Sequence, residues 1–344
     1  MQSRGQSFLK NGTEFAQMLF LMGTNDVPPR ISACARLAPS PTGAQHVGNA
    51  RTFLVAWLDA RSRGAELLLR IEDLDTPRTK SWARDQILED LGWLGLDWDR
   101  QVPDASQRAD RYAEVLAKLK QTERVYPCTC TRSQIEQAAS APHEAVLDGA
   151  IYPGTCQGRA SKEAHALDEQ GIRYAWRFRM AAGIQSWHDE LHGLESLDAS
   201  RELGDFIIAR NYGPAAYQLA VVVDDHDQGV TRVVRGDDLI YSTFRQLALY
   251  AALDWSPPHY LHVPLVVGVD GKRLAKRHGD TRISYLREQG IAPERLIGYL
   301  AWSLGWGEQG RTIAPRELLD RLSARPGWQA GIPKQPWIFR MEDL

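Results

Sequence analysis

The sequence predicts an α/β protein built around a parallel β-sheet. Residues 33–38 have the composition of a short buried strand, apolar residues recur at helical spacing over 47–63, and 66–72 is a nearly continuous apolar run. A strand, a helix and a second strand in this order form a βαβ crossover. A strand that is apolar throughout is typical of a parallel sheet covered on both faces.

The remaining elements continue this alternation, with one interruption. Predicted helices cover residues 82–94, 108–122 and 239–253, and residues 293–344 are predicted to be mainly helical. Predicted strands cover residues 206–223, with a core strand at 217–223 (YQLAVVV), and residues 231–236 and 262–269. Residues 125–159 have a loop-like middle and hold three of the four cysteines, so they are predicted to be an insertion.

Composition excludes several classes of protein. A net charge of -2 argues against a sequence-independent nucleic-acid binder, so any nucleic-acid partner must be held by local basic patches. No apolar run reaches the roughly 18 residues of a membrane span. Four cysteines, two of them in a C-x-C pair, do not suit a disulfide scaffold. We expect a cytoplasmic monomer that does not associate with a membrane.

The turn between the first strand and the first helix has features of a phosphate site. It lies in RLAPSPTGAQHVGNAR, residues 36–51. His46 comes at the N-terminus of the predicted helix, where free N–H groups and the helix dipole favour an anion. Gly48 leaves room for a bulky ring. The alternative is an ordinary helix cap with a surface histidine, which this short pattern taken alone favours.

A second segment, GKRLAKRHGD at residues 271–280, concentrates positive charge. It follows a predicted strand and a turn glycine, which is where α/β sheets present ligand-binding loops. Ammonium groups brought to a departing pyrophosphate would stabilise its charge. A solvated surface is the alternative interpretation. Taken together, the two segments predict an ATP site at which His46 and Lys276 converge on one triphosphate.

The cysteines of the insertion suggest a metal site. Cys128, Cys130 and Cys156 can supply three thiolates to a tetrahedral zinc ion, which requires a fourth ligand. On chemical grounds His143, in the same insertion, is the more ordinary choice. The alternative is a set of reduced cysteines in a small core. Cys34, in the first strand, is predicted to be a core residue.

Several of these motifs resemble a known family. PSPTGAQHVGN resembles the HIGH motif of class I aminoacyl-tRNA synthetases, and RLAKR resembles their KMSKS loop. RLAPSPTG, RIEDLD, VVVDDHDQGVTRVVRGDDLI and AKRHGD are similar to glutamyl-tRNA synthetases in particular. The resemblance runs from about residue 34 to about residue 305. The short C-terminus, with no space for an anticodon-binding region, and the C-x-C…Y-x-x-x-C insertion are similar to a truncated group, the glutamyl-queuosine tRNA(Asp) synthetases.

The resemblance implies roles for individual residues. The implied L-glutamate pocket consists of Arg36, Leu37, Ala38, Pro39, Ser40, Glu72, Tyr217 and Arg235. The implied catalytic and ATP-binding residues are His46, Gly48, Asn49 and Lys276. An arginine can bind a carboxylate bidentately, as such a pocket requires. Without the resemblance, the alternatives are favoured, in which Arg235 is an ion-pair partner of Asp237 and Tyr217 is a core aromatic.

The resemblance also indicates the fourth zinc ligand, and the sequence departs from the family's motifs at two positions. It places Tyr152 ahead of His143 as the ligand that completes the set with Cys128, Cys130 and Cys156, in a structural zinc site. Asn49 replaces the second histidine of the HIGH motif. Ala275 replaces the usual serine of the KMSKS loop, which removes a hydroxyl donor.

The function implied is ATP-dependent activation of glutamate, with Mg²⁺ accompanying ATP, and transfer to the queuosine base in the anticodon stem-loop of tRNA(Asp). One alternative is a truncated glutamyl-tRNA synthetase that charges tRNA(Glu) at its 3′ end. A second is a non-catalytic paralogue that binds tRNA or amino acid as a regulator, which Ala275 favours. Charging assays would separate the first two.

The resemblance also implies a domain plan with a Rossmann-like catalytic domain in two halves. The expected segments are a poorly ordered extension (1–31), the first catalytic half (32–124), a zinc-binding, acceptor-type insertion (125–204), the second catalytic half with the KMSKS-like loop (205–282), and a helical C-terminal region without an anticodon-binding domain (283–344).

Overall fold

The structure, a computed structural model, describes residues 33–74, 77–138, 150–274 and 280–344. Its strands are β1 (Cys34–Leu37), β2 (Glu66–Leu69), β3 (Arg100–Gln101), β4 (Val125–Cys128), β5 (Ala175–Phe178), β6 (Gln185–Asp189), β7 (Gly193–Leu197), β8 (Phe206–Arg210), β9 (Arg232–Gly236), β10 (His259–Val263), β11 (Val266–Val267) and β12 (Trp337–Ile338). Its α-helices are α1 (Val47–Ser62), α2 (Ser81–Trp93), α3 (Ala109–Gln121), α4 (Arg132–Ala138), α5 (Ala164–Glu169), α6 (Ala199–Glu202), α7 (Tyr217–Asp227), α8 (Ile240–Leu253), α9 (Ile283–Glu288), α10 (Pro293–Ser303) and α11 (Pro315–Ser323).

The main sheet has seven strands in the order β3-β2-β1-β9-β10-β6-β7. All of its strands are parallel except β7, which forms an antiparallel hairpin with β6. The predicted parallel sheet and its βαβ crossover are therefore confirmed, and the fold is Rossmann-like. The order of the strands reverses between β1 and β9. In such a sheet ligands bind in the crevice outside the carboxyl ends of the two strands at the reversal.

Helix α1 is the centre of the larger core. Its apolar side chains point in all directions, which is the pattern of a helix buried on every side. One side packs on β1, β2 and β9, and the other contacts α10 and α11. Among the largest fully buried side chains is Trp57, near the middle of the helix. The predicted helix at 47–63 is thus confirmed, and C-terminal helices complete the core around it.

A three-stranded antiparallel sheet, β4-β5-β8, forms beside the main sheet. Its apolar side chains share a second core with α3, α7 and α8. The hairpin of β6 and β7 comes from the same stretch of chain but joins the main sheet through β10. Residues 125–204 therefore contribute to both sheets.

The predicted core strand at 217–223 is wrong, because these residues form the first turns of α7. A short continuous apolar run fits a buried helix as well as a buried strand. Residues 219–225 are all buried in α7, so no polar face interrupts the run. The predicted strand at 262–269 also differs. It begins earlier, at His259, and Pro264 separates β10 from β11 because proline cannot donate a ladder hydrogen bond.

The C-terminal region is helical through α9, α10 and α11, as predicted, but not to its end. After α11 the chain forms 3₁₀ turns and the short strand β12, which pairs with β11. Across the described ranges, none of the helices combines the length and apolar character needed to span a membrane.

Candidate active site and cysteine cluster

A cavity of about 580 Å³ opens at the switch point, outside the carboxyl ends of β1 and β9. It brings together all the predicted glutamate and ATP residues that the structure describes. Those residues are Arg36, Leu37, Ala38, Pro39, Ser40, His46, Gly48, Asn49, Glu72, Tyr217 and Arg235. Lys276 lies outside the described residues. The predicted glutamate and ATP residues thus line one cleft.

His46 is the N-cap of α1. Its Nδ1 accepts hydrogen bonds from the backbone N–H groups of Gly48 (3.1 Å) and Asn49 (3.3 Å), and the Asn49 side chain accepts from the His46 N–H (3.0 Å). Because Nδ1 is an acceptor, the neutral imidazole carries its proton on Nε2 and can donate it. Burial, together with the nearby Arg273, lowers the pKa of His46. His46 can therefore cap the helix through Nδ1 and donate to a phosphate through Nε2 at the same time.

Gly48 is required by this cap. A Cβ at position 48 would lie 3.0 Å from two atoms of the His46 imidazole. That separation is tighter than side chains normally tolerate, so a larger residue would displace the ring. The sequence analysis expects Gly48 to leave space for a bulky ring. In the structure, the imidazole of His46 occupies that space.

The described ends of the basic loop lie against the turn that precedes α1. On one side of the loop Arg273 and Leu274 line the cavity, and Arg273 forms an ion pair with Asp238. On the other side the Thr281 carbonyl accepts a hydrogen bond from the Val47 N–H (3.0 Å), and the Ile283 N–H donates to the Gln45 carbonyl (2.9 Å). Both ends of the segment 275–279 are therefore held next to His46.

Arg36 belongs to a buried network of charges at the glutamate side of the cavity. Its Nη1 donates to the Val234 carbonyl (3.1 Å), and its Nε lies 3.6 Å from an Asp225 carboxylate oxygen. The same oxygen is 2.7 Å from Nη1 of Arg70, and Nη2 of Arg70 donates to Glu72 (3.1 Å). Two guanidiniums and two carboxylates thus alternate, with Arg36 and Glu72 lining the cavity and Asp225 and Arg70 between them.

Arg235 and Tyr217 do not follow the alternatives that the sequence left open. The Arg235 side chain donates to His262 (3.0 Å) and Thr243 (2.7 Å) rather than to Asp237. Tyr217 is the first residue of α7, is 37% exposed and borders the cavity, so it is not a core aromatic. Both side chains are placed where a bound molecule would meet them.

The four predicted metal ligands converge at the end of β4. The sulfurs of Cys128, Cys130 and Cys156 all lie within 4.8 Å of one another, those of Cys130 and Cys156 being 3.6 Å apart. The Tyr152 hydroxyl oxygen lies 3.4 Å from the Cys128 sulfur and 3.6 Å from the Cys130 sulfur. His143 lies outside the described residues. As predicted, Cys34 is a buried core residue, remote from this cluster in the first strand.

These separations fit a tetrahedral zinc ion. At about 2.3 Å from sulfur and about 2.0 Å from oxygen, tetrahedral angles put two sulfurs about 3.8 Å apart and a sulfur and an oxygen about 3.5 Å apart. Tyr152 and two of the cysteines are buried. As anionic ligands they would need positive charge close by, so a bound cation suits these surroundings. Arg177 contributes positive charge from one side only, donating to Cys128 (3.3 Å) and covering the Tyr152 ring.

Comparison with known proteins identifies the family. The sequence matches the family of class I tRNA synthetases (E and Q), catalytic domain, over residues 33–327. The chain belongs to this family. It is therefore an enzyme of the ATP-using aminoacyl-tRNA ligase type.

Two groups of synthetases resemble the chain to different extents. A Glutamyl-Q tRNA(Asp) synthetase from Rhodopirellula baltica is 50% identical over 85% of this chain and 91% of its own length. Glutamate–tRNA ligase 2 from Syntrophus aciditrophicus is 39% identical over 83% of this chain but only 60% of its own length. The solved glutamate-tRNA synthetase from Elizabethkingia anophelis is 27% identical, with a TM-score of 0.76, over 91% of this chain and 69% of that one.

Four buried polar residues of the synthetase site were not predicted from the sequence. They are Arg70, Asp189, Asp225 and His262. Arg70 directly follows β2, and a charged residue inside the apolar run 66–72 was a signal for it, since a buried charge needs a partner. Asp225 stood in a motif that the sequence analysis quoted but assigned no role. Asp189 and His262 carried no local signal, because only the order of the strands makes them neighbours.

Proposed function

We propose that this synthetase activates L-glutamate with ATP and transfers it to the queuosine base in the anticodon of tRNA(Asp). The observation that carries the proposal is the single cavity at the switch point. Arg36, Arg235 and Glu72 line it together with the N-terminus of α1 and one end of the basic loop, Arg273 and Leu274. We assign glutamate to the first group and the ATP phosphates to the second. A small amino acid and a nucleotide would meet between them.

In the first step an oxygen of the glutamate α-carboxylate attacks the α-phosphorus of ATP, and pyrophosphate leaves with its Mg²⁺. Arg36 and Arg235 bind substrate carboxylate and Glu72 accepts from the ammonium group. The Nε2–H of His46 and the positive end of the α1 dipole stabilise negative charge on the phosphates, since the first N–H groups of α1 already have partners within the protein. Lys276, together with the rest of the basic loop, neutralises the departing pyrophosphate.

In the second step a hydroxyl of the queuosine ring attacks the carbonyl carbon of the adenylate, and AMP leaves. Among the described residues that line the cavity, no side chain stands out as a general base for this hydroxyl. We assign its proton to a phosphate oxygen of the departing AMP. The protein supplies placement and charge stabilisation, and no covalent enzyme intermediate is needed.

The cysteine cluster is proposed to be a structural zinc site in the insertion. Cys128, Cys130 and Cys156 would supply thiolates and Tyr152 a phenolate, which completes a four-ligand set. A closed set leaves no position for substrate, so the metal would cross-link the loops after β4 and serve no catalytic step. None of the four residues borders the active-site cavity.

The second candidate function is charging of tRNA(Glu) at its 3′ end. It is favoured by the 39–42% identity to proteins named as glutamate–tRNA ligases. The higher identity and near-complete coverage of proteins named Glutamyl-Q tRNA(Asp) synthetase favour the first. The two functions share the activation step and differ only in the acceptor.

Two assays test the proposal. Glutamate-dependent ATP–pyrophosphate exchange tests activation, with aspartate and glutamine as control amino acids. Transfer of labelled glutamate is then measured to tRNA(Asp) with and without queuosine and to tRNA(Glu). We expect label only on the queuosine-containing tRNA(Asp). Label only on tRNA(Glu) would establish the second candidate, and no exchange with or without tRNA would indicate a non-catalytic paralogue.

A further inference from the structure

Behind Arg235 lies a buried chain of side chains that crosses three neighbouring strands. Arg235 on β9 donates from Nε to Nε2 of His262 on β10 (3.0 Å). Nδ1 of His262 lies 2.8 Å from a carboxylate oxygen of Asp189 at the end of β6. The side chains of His262 and Asp189 are completely buried, and neither residue borders the active-site cavity.

The direction of these hydrogen bonds is determined by Arg235. A guanidinium can only donate, so Nε2 of His262 must accept. The proton of the neutral imidazole is therefore on Nδ1, where it is donated to Asp189. Burial and the charge of Arg235 lower the pKa of His262 to about 4, which keeps Nε2 available as an acceptor at neutral pH.

Asp189 is itself held rigidly. One of its oxygens accepts the backbone N–H groups of Leu191 and His192, both at 2.9 Å. The other accepts both the backbone N–H of His262 (3.0 Å) and its imidazole. With all four contacts made, the carboxylate has no freedom to rotate, and it selects one tautomer of His262.

The remaining bonds of Arg235 leave one nitrogen for a ligand. Its Nη2 donates to Thr243 (2.7 Å). Its Nη1 is buried and has no hydrogen-bond partner among the described residues. A guanidinium that is held through Nε and Nη2 presents Nη1 in one direction, and Arg235 lines the cavity.

We propose that His262, with its tautomer selected by Asp189, is a positioning residue that aims Arg235 at a carboxylate of the substrate glutamate. The inference deepens the proposed function and rests on it. Without the acceptor at Nε2, the Nε–H of Arg235 would be buried without a partner, and the guanidinium would rotate to find one. Glutamate would then bind more weakly, whereas ATP, whose phosphates are assigned to the N-terminus of α1 and the basic loop, would not.

The test separates the two substrates. In the exchange assay, His262→Phe and Asp189→Asn are expected to raise KM for glutamate 10- to 100-fold and to change KM for ATP less than threefold. In Asp189→Asn an amide NH2 turned toward Leu191 and His192 would oppose two N–H donors, so it is expected to face His262 instead, where Nδ1 can accept only in the wrong tautomer. His262→Gln places an amide oxygen near the position of Nε2 and is expected to restore most of the affinity. His188→Gln is the matched control, because His188 is exposed and lies on the same strand as Asp189.

Arg235→Lys removes the Nε donor and completes a double-mutant cycle. In that background His262→Phe is expected to change KM for glutamate less than twofold, because its effect passes through Arg235. Independent effects that multiply would overturn the inference. A two-bond ¹H–¹⁵N spectrum of the wild-type protein should show His262 protonated at Nδ1 only. Protonation at Nε2 would overturn it even where the variants fail to fold.

Calorimetric titration with L-glutamate distinguishes this inference from the proposed function. Wild-type protein that binds glutamate and supports exchange, while folded His262→Phe has an unchanged Kd, contradicts the inference alone. An equal rise in KM for glutamate and KM for ATP in His262→Phe also contradicts it. Wild-type protein that neither binds glutamate nor supports exchange contradicts the proposed function, and this inference with it.

Discussion

The active-site cavity and the cysteine cluster differ in where their buried polar groups find partners. Behind the cavity, Arg36 and Arg70 share the carboxylate of Asp225, and Arg70 also pairs with Glu72. In the cluster, three thiols and a phenol face one another. Among the described residues, Arg177 is the only cation in contact with them. The cavity therefore contains its own counter-charges, whereas in the cluster the proposed zinc ion would supply most of the positive charge.

The difference follows from how each region is assembled. The cavity joins segments that lie far apart along the chain, at the ends of β1, β2 and β9, so its geometry depends on the sheet. The cluster joins residues 128–156, which lie close together in the sequence. We therefore expect mutations in the first region to act through long-range packing and mutations in the second to act through metal binding.

The largest effect is expected at Arg70. Its side chain is fully buried between Asp225 and Glu72, so Arg70→Leu removes the nearest cation of the buried Asp225 carboxylate and the ion-pair partner of the half-buried Glu72. Breaking a buried pair in this way costs about 3–5 kcal/mol. Urea unfolding should show a loss of this size, together with loss of glutamate-dependent exchange.

Arg100→Leu is the control for that variant, because Arg100 pairs with Glu66 at the surface on the neighbouring strand. Exposed pairs contribute about 0–1 kcal/mol. Similar losses of stability in Arg70→Leu and Arg100→Leu would show that burial does not make the ion pairs of Arg70 more stabilising than an exposed pair.

Removal of the metal is expected to have the next largest effect. Protein purified with zinc should contain one ion per chain, and a chelator should lower the free energy of unfolding by about 3 kcal/mol, the value for an ion present at about 100 times its Kd. The exchange activity of the folded protein should change less than threefold, because no cluster residue borders the cavity.

Cysteine variants sharpen this test. Cys130→Ser should lower the zinc content, whereas Cys34→Ala, which changes a core cysteine, should leave it at one per chain. Tyr152→Phe should also lower it. Full zinc content in Tyr152→Phe would exclude the phenol as fourth ligand and leave His143 as the candidate, and no zinc in the wild-type protein would refute the site.

The sequence predicted the parts of the cavity that depend on local structure. A strand that ends at two prolines, followed by a helix with His46 and Gly48 at its start, is specified by residues that lie close together. Asp189 and His262 were missed because 73 positions separate them and only the pairing of β6 with β10 brings them together. Strand order is a long-range property that no local pattern reveals.

The wrong strand at 217–223 has a related cause. Periodicity identifies which face of an element is buried, so it fails where every face is buried, as in α7. Helix α1 is also buried on every side, but it was predicted correctly because its 16 residues are enough to show apolar residues recurring at helical spacing, which the seven residues 217–223 are not. Length distinguished a helix from a strand where hydrophobicity did not.

Asp90 is an exception to the pairing of charges in the catalytic half. Its carboxylate is buried on α2, accepts no hydrogen bond from the described residues, and lies 3.8 Å from its nearest cation, Arg287. Burial therefore raises its pKa to about 7. Since the folded state then binds this proton more tightly than the unfolded chain does, stability should fall as the pH rises from about 4 to about 7.

Asp90→Asn should remove that loss. We expect the variant to be about 1–3 kcal/mol more stable than the wild type at pH 8 and nearly equal to it at pH 4, as measured by urea unfolding at both values. Asp85→Asn, an exposed change on the same helix, is the control. A gain that does not depend on pH would show that Asp90 is not ionised at pH 8.

The smallest change in stability is expected at His46, where it separates the structural role of the side chain from its chemical one. His46→Ala removes the cap of α1 and should cost about 1 kcal/mol, whereas asparagine can still accept the Gly48 and Asn49 N–H groups and should cost less than about 0.5 kcal/mol. Neither variant has a donor at the position of Nε2, so glutamate-dependent exchange should fall roughly 10²- to 10³-fold in both. Full exchange activity in the stable His46→Asn variant would mean that the histidine serves only as a cap, in which case the α1 dipole and the basic loop stabilise the phosphates without it.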